Sequence, residues 1–238
     1  MFKDAKLLYV NLTDRTTELK TLDAETYAKY PGGGALGMYI MLNEMDPEVD
    51  PLGPDNMLIF AVSQLCNIPI SGQSRMCATC KSPLTGLAGD SQVGGFIPAA
   101  VAGNGYDAIV IKGKADAPVY LYINGDDVQI KDASSIWGKI TGDSEKAIEA
   151  EVGSHIETAI IGPAGEKMIP YASVNHRRSR AFGRNGIGAV MGSKNLKALA
   201  VEIAPTKAPA DREALKKLTV NVKERMAADT LIIPPFEK

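Results

Sequence analysis

The chain has 238 residues, 45% hydrophobic and 23% charged, which suits one large globular domain or two small ones. Its 26 Lys plus Arg against 28 Asp plus Glu leave a net charge of −2, without the basic excess of a general nucleic-acid binder. No apolar run reaches the roughly 20 residues of a membrane span, the N-terminus lacks a signal-peptide core, and three cysteines are too few for a disulfide scaffold. A cytoplasmic protein with no membrane and no nucleic-acid partner is expected.

In chain order, residues 7–12 read as a strand followed by a turn at Thr13. Asp23 can cap a helix running to Tyr30, and a second helix from Ala35 to Glu44 is stopped by Pro47. Residues 57–62 form a continuous apolar run, which suits a buried strand. Strands over 107–111 and 119–123 bracket a turn containing Gly113 and Pro118, and Asn124-Gly125-Asp126-Asp127 makes a tight hairpin into 128–130. Asp143 can cap a helix over 144–152 that ends at Gly153. Strands over 158–161, 169–174 and 198–203 complete the set. Strands outnumber helices and come in hairpins, which predicts an α+β fold with antiparallel sheets.

Residues 204–210 hold two prolines among small residues and read as a linker. Asp211 can cap a further helix with Leu215, Leu218, Val222 and Met226 along one face. The closing stretch, 232–238, has no cap signal and reads as the cut end of a larger protein.

Four motifs bear on chemistry. Gly32-Gly33-Gly34-Ala35-Leu36-Gly37 matches G-x-G-x-x-G, but a helix-like segment and Pro31 precede it where a dinucleotide site needs a strand. It reads as a glycine-rich loop between helices, or as a close backbone approach to a bulky ligand. Gly188 to Lys194 is one residue short of a phosphate loop and has its Ser before its Lys, which excludes that assignment. Cys77-Ala78-Thr79-Cys80 is a lone C-x-x-C; Cys66 and His176 could complete a metal site, though without zinc-ribbon spacing. Arg75 and Lys81 beside it could lower a thiol pKa. Residues 175–188 gather four arginines and a histidine among three glycines. Guanidinium forks and glycine amides both suit phosphate, so this loop points to a phosphorylated or polyanionic small molecule.

Several segments together resemble the N-terminal domain of the aldehyde ferredoxin oxidoreductase family, over residues 6 to 203. They are Lys81-Ser82-Pro83-Leu84-Thr85-Gly86, Gly94-Gly95-Phe96, Gly105-Tyr106-Asp107-Ala108-Ile109, Ile136-Trp137-Gly138, Ile161-Gly162-Pro163-Ala164-Gly165-Glu166 and Gly188 to Ala198. The resemblance implies a saddle-like platform of two antiparallel sheets with a few flanking helices. It also implies a tungsten, or molybdenum, bis-molybdopterin cofactor whose phosphates are joined by magnesium. Residue by residue, Arg75 matches an arginine that contacts the pterin, and Gly94, with Gly95 beside it, a glycine whose backbone lies on the cofactor. Arg180, Ala181, Gly183 and Arg184 match the loop at the pterin phosphates. Gln92 stands where the family often has an asparagine near the magnesium, and keeps the amide.

The implied activity is oxidation of an aldehyde to a carboxylate, with electrons passing through a 4Fe-4S cluster to ferredoxin. Cluster and substrate residues would lie in missing C-terminal domains, so 1–203 would be the cofactor domain and 204–238 a linker and the start of a truncated helical domain. A homodimer is also possible on this resemblance. Two other readings are a stand-alone pterin-binding or assembly module without catalysis, and a zinc or redox module built on Cys77 and Cys80.

Overall fold

The computed structural model of the chain describes residues 3–70 and 72–228. The uncapped stretch 232–238 lies outside them. The chain opens with strands β1 (Ala5–Asn11) and β2 (Thr16–Leu22), then helices α1 (Ala24–Lys29) and α2 (Gly33–Glu44). Strands β3 (Leu58–Val62), β4 (Arg75–Lys81) and β5 (Ala88–Gly94) lead into α3 (Ile97–Gly103). Next come β6 (Ala108–Lys112), β7 (Val119–Asn124), β8 (Asp127–Asp132), α4 (Thr141–Val152), β9 (Ile156–Ile160) and α5 (Pro163–Glu166). Strands β10 (Val174–His176) and β11 (Arg180–Phe182), helix α6 (Ile187–Ser193), strand β12 (Leu196–Glu202) and helix α7 (Arg212–Ala228) follow.

These strands make two six-stranded sheets, ordered β2-β1-β6-β3-β4-β5 and β11-β10-β9-β12-β7-β8. Each is antiparallel except for one parallel pair, β1 with β6 and β7 with β12. The fold is therefore α+β with mixed sheets. Inward side chains of both sheets, among them Leu8, Phe60, Ile109, Leu121 and Leu199, share one core with α3 and α6. Helices α1 and α2 cover the other face of the first sheet through Tyr27, Leu36 and Ile40. Helix α4 covers the other face of the second through Ile148. Central strands are thus buried on both faces, which is why they read as continuous apolar runs.

Several expectations need correction. The strands at 107–111 and 119–123 do not pair, because the connection carries the chain from one sheet to the other. The buried Lys194 amino group holds that crossover by donating to Pro54 O at 3.0 Å and Gly113 O at 3.1 Å. Residues 169–173 are not a strand. Their backbone turns on itself through Ala172 N–H to Ile169 O, and Ala172 O then accepts from Gly188 N–H at the start of α6. Asp143 does not cap α4, which begins earlier behind Ile140 and takes Asp143 into its first turn, where a carboxylate suits the helix dipole.

Two of the glycines in 32–37 serve packing. A Cβ on Gly32, at φ +73°, would stand 2.3 Å from Val62 O, and one on Gly37 would stand 2.4 Å from Thr79 Oγ1. Only bare backbone lets α2 lie this close to β3 and β4. The two cysteines of the C-x-x-C lie three residues apart on β4, so their side chains point to opposite faces of the sheet. Cys80 belongs to the central core, whereas Cys77 faces Gly33 of α2. One ion cannot take both, and no cluster of three or more His, Cys, Asp or Glu among the described residues could hold a metal. Nor are the thiols activated by Arg75 and Lys81: burial pushes both Cys77 and Cys80 up to about 12, with Asp90 adding to the effect on Cys77.

Helix α7 buries no side chain among the described residues. The linker before it is tied down by Asn67, whose Nδ2 donates to Pro205 O at 3.0 Å and whose carbonyl accepts from Lys207 N–H at 3.1 Å.

Two predictions follow from this packing. Gly32→Ala should lower the unfolding free energy by about 3 kcal/mol in urea denaturation, through strained backbone and overpacking. Gly142→Ala, where a Cβ meets nothing within 4 Å inside α4, should raise it by about 0.5 kcal/mol. The second concerns the thiols. Unfolded Cys77 and Cys80 ionise near 9 and the folded ones near 12, so the stability they contribute is intact below pH 9 and is lost as pH climbs toward 12. Cys77→Ala with Cys80→Ala should flatten that alkaline decline in denaturation curves, and iodoacetamide at pH 8 should label neither thiol before unfolding.

Candidate functional site

The outer strands β5 and β11 of the two sheets meet along a seam. Arg184 N–H donates to Ser91 Oγ at 3.0 Å, and Asn185 Nδ2 donates to Asp90 O at 2.8 Å. The β10–β11 hairpin thereby lies against an edge strand made largely of Gly, Ser and other short residues. Beyond Gly94 the chain turns through Gly95, at φ +112°, into α3. A Cβ on Gly95 would fall 2.7 Å from Arg180 Cδ, so only glycine fits. Ser74 Oγ donates to Gly95 O at 2.5 Å and holds the turn from the β4 side.

Two adjoining cavities open along this seam. The first, of about 530 Å3, is lined by Arg75, Gln92, Gly94, Gly95, Arg180 and Ala181, together with Gly72, Ser74, Val93 and Phe96. The second, of about 580 Å3, is lined by Gln92, Ala181, Gly183 and Arg184, with Asp90 and Ser91. Gln92 and Ala181 border both. Each of the eight residues singled out in the sequence thus lines one or both of these two adjoining cavities, although they come from β4, β5 and the segment around β11.

The arginines of residues 175–188 divide by role. Arg177 forms a bidentate ion pair with buried Glu157 and lies 4.0 Å over the ring of Phe96. Arg178 lines neither cavity. Arg180 and Arg184 do, and with Arg75 they have no carboxylate within 4 Å among the described residues. Guanidinium groups without a carboxylate partner among the described residues, two on the first cavity and one on the second, have the chemistry that suits an anion.

The hollow also has bare main chain on its walls. A Cβ on Gly183 would meet nothing within 4 Å, so the missing side chain there leaves space that the fold does not need. On Gly94 a Cβ would stand over the Arg75 guanidinium at 3.4 Å. Asp90 borders the second cavity, but its carboxylate is turned toward Gly34 of α2, where a Cβ would stand 3.1 Å from Oδ2 and 3.5 Å from Oδ1. Cationic forks and exposed backbone fit a flat ligand that carries phosphate.

Sequence reasoning missed Ser74, Asp90 and Phe96 on the cavity walls. Ser74 precedes Arg75 and Phe96 follows Gly95, so their positions beside assigned residues were the available signal. Asp90 gave none, because β5 was not legible as a strand. His176 is not a metal ligand: both ring nitrogens are engaged within the protein.

Comparison with known proteins agrees with this architecture. The family profile described as "Aldehyde ferredoxin oxidoreductase, N-terminal domain" matches residues 7–203. The tungsten-containing aldehyde ferredoxin oxidoreductase of Pyrococcus abyssi is 48% identical over 197 residues, covering 82% of this chain and 32% of that protein. Its counterpart from Pyrococcus furiosus is 43% identical over 222 residues, covering 93% of this chain and 36% of that protein. Among solved structures, the active-site complex BamBC of benzoyl coenzyme A reductase, in complex with 1,5-dienoyl-CoA, superposes with a TM-score of 0.91 at 36% identity. That match covers 95% of this chain and 35% of the solved one. The chain thus spans about a third of the length of the relatives it matches. With a profile match across both sheets, this chain belongs to the aldehyde ferredoxin oxidoreductase family, as its N-terminal domain.

Proposed function

We propose that residues 1–203 cradle a tungsten bis-pterin by its phosphates, and that 204–238 are a linker and the start of a separate helical domain. The observation that carries this reading is that Arg75 and Arg180 line one cavity and Arg184 the adjoining one, with Gln92 and Ala181 bordering both. Support for the metal and the reaction comes from relatives whose names specify tungsten and aldehyde ferredoxin oxidoreductase. Molybdenum would suit the same cradle, since no side chain here holds the metal. When bound, such a cofactor supplies a two-electron oxidation in which an aldehyde and water give a carboxylate and protons.

The chain's own residues bind and orient. Arg75, Arg180 and Arg184 neutralise phosphate oxygens, and Gly94, Gly95 and Gly183 let the flat ligand approach the main chain. Gln92 and Ala181 border both cavities, which suits contact with a magnesium ion joining the phosphates. Electrons would leave through a 4Fe-4S cluster to ferredoxin. Three buried cysteines on this chain cannot supply four cluster ligands, so the cluster belongs to other parts of the enzyme. The same reading includes a cytoplasmic location, a homodimer and an isolated chain without activity.

Two measurements test the cradle. Arg180→Ala with Arg184→Ala should weaken binding of inorganic pyrophosphate by roughly thirtyfold, about 2 kcal/mol for two charge-assisted contacts at an exposed site. Unchanged affinity in titration calorimetry would refute the role of this loop. Gly183→Val should keep the unfolding free energy in urea within about 0.5 kcal/mol of wild type, because a Cβ there meets nothing within 4 Å. Co-produced anaerobically with the C-terminal part that the relatives carry, and supplied with tungstate, the same variant should lose most of its tungsten per chain. Full tungsten content would remove Gly183 from the cradle.

A further inference from the structure

His176 makes none of the anion contacts described above, yet it lies fully buried beside them. Its Nδ1 is 2.9 Å from Thr158 O, which can only accept, so Nδ1 carries the proton and donates. Its Nε2 then has a lone pair, and it accepts the N–H groups of Phe96 at 3.0 Å and Ile97 at 3.3 Å. These amides directly follow Gly94 and Gly95, which line the first cavity. The imidazole presses on that wall: a Cβ on Gly95 would stand 2.8 Å from both Cδ2 and Nε2. The stem of Arg180 packs on the same glycine, and Ser74 holds its carbonyl from the opposite side. The cavity wall is thus clamped between β4 and the second sheet, with the imidazole as the link.

We propose that His176 is a positioning residue for the anion cradle: by accepting the Phe96 and Ile97 amide protons it fixes the main chain at Gly94 and Gly95, and with it the placement of Arg75 and Arg180. The inference rests on reading the hollow as a phosphate site. The arrangement requires the neutral ring, since a proton on Nε2 would point at two N–H donors. The groups facing the ring are Glu157 on β9, 3.8 Å from Nε2, and Arg177 and Arg180 on the hairpin. Burial, aided by the two arginines, holds the imidazole below its ordinary value, against the opposing pull of Glu157. Arg177 already pairs with that carboxylate.

The test is calorimetric titration of the 238-residue chain with inorganic pyrophosphate. His176→Gln keeps an acceptor near the Nε2 position and should bind within about threefold of wild type at pH 7.5. His176→Leu keeps none and should bind at least about tenfold more weakly with an unchanged circular dichroism spectrum. As pH falls from 7.5, wild type should lose more affinity than His176→Gln, the extra loss setting in below the ordinary imidazole range because the ring's pKa is lowered, while protonation of the probe is common to both. A Leu variant that binds like wild type, a Gln variant as weak as Leu, or identical pH profiles for wild type and Gln would overturn the proposal. Should the Leu variant fail to fold, the pH comparison of wild type with Gln decides alone. Absence of any pyrophosphate binding by wild type would instead overturn the phosphate reading of the hollow, and the role of His176 with it.

Discussion

The site depends on an edge-to-edge meeting of two sheets that do not hydrogen-bond as one. Strands β5 and β11 are joined by side-chain contacts, Ser91 to the Arg184 amide and Asn185 to the Asp90 carbonyl, in place of a regular ladder. An ordinary strand pair would have consumed the backbone groups on both edges and closed the gap to under 5 Å. Here no ladder joins them, and the cavities beside the seam are lined by arginine side chains together with the bare main chain of Gly94, Gly95 and Gly183. Edge strands usually need protection against unwanted pairing. In this fold each of these two edges shields the other while leaving room between them.

Charge and glycine are used in two ways in the chain, and position separates them. Arg177 is taken up by its ion pair with buried Glu157 and by the face of Phe96, whereas Arg180, three residues on, reaches the first cavity without a carboxylate partner among the described residues. Gly32, the N-cap of α2, and Gly37 within it are where that helix presses on β3 and β4, while Gly183 faces open space. Residue type cannot distinguish these uses; only the neighbour across the sheet can.

That limit explains what could be read from sequence. Strands buried on both faces, such as β3, β6 and the stretch 198–201 of β12, announce themselves as runs of apolar residues. The hairpin at Gly125 and the Asp23 cap on α1 were legible because turn and cap chemistry is local. Strand β2 is an exposed Thr-, Glu- and Lys-bearing edge, β4 carries polar and sulfur side chains into the interior, and β5 is nearly all small or polar. None of the three has an apolar period to detect, and two of them build the cavity. The eight candidate residues were reachable because motif order and family resemblance bypass periodicity. Their two adjoining cavities, the place of Asp90 beside the second and the clamp on Gly95 are products of tertiary pairing alone.

The two parallel pairings carry a cost during synthesis. Strand β1 must wait for β6, whose partner of Leu7 is Ala108, and β7 must wait for β12, whose Leu196 faces Val119. An emerging polypeptide therefore holds its first hairpin without a neighbour until about a hundred more residues have left the ribosome. Such long-range closure is slow, and it exposes aliphatic strand surface in the interval, so nascent molecules of this domain need shelter from one another before the first sheet can knit at its centre.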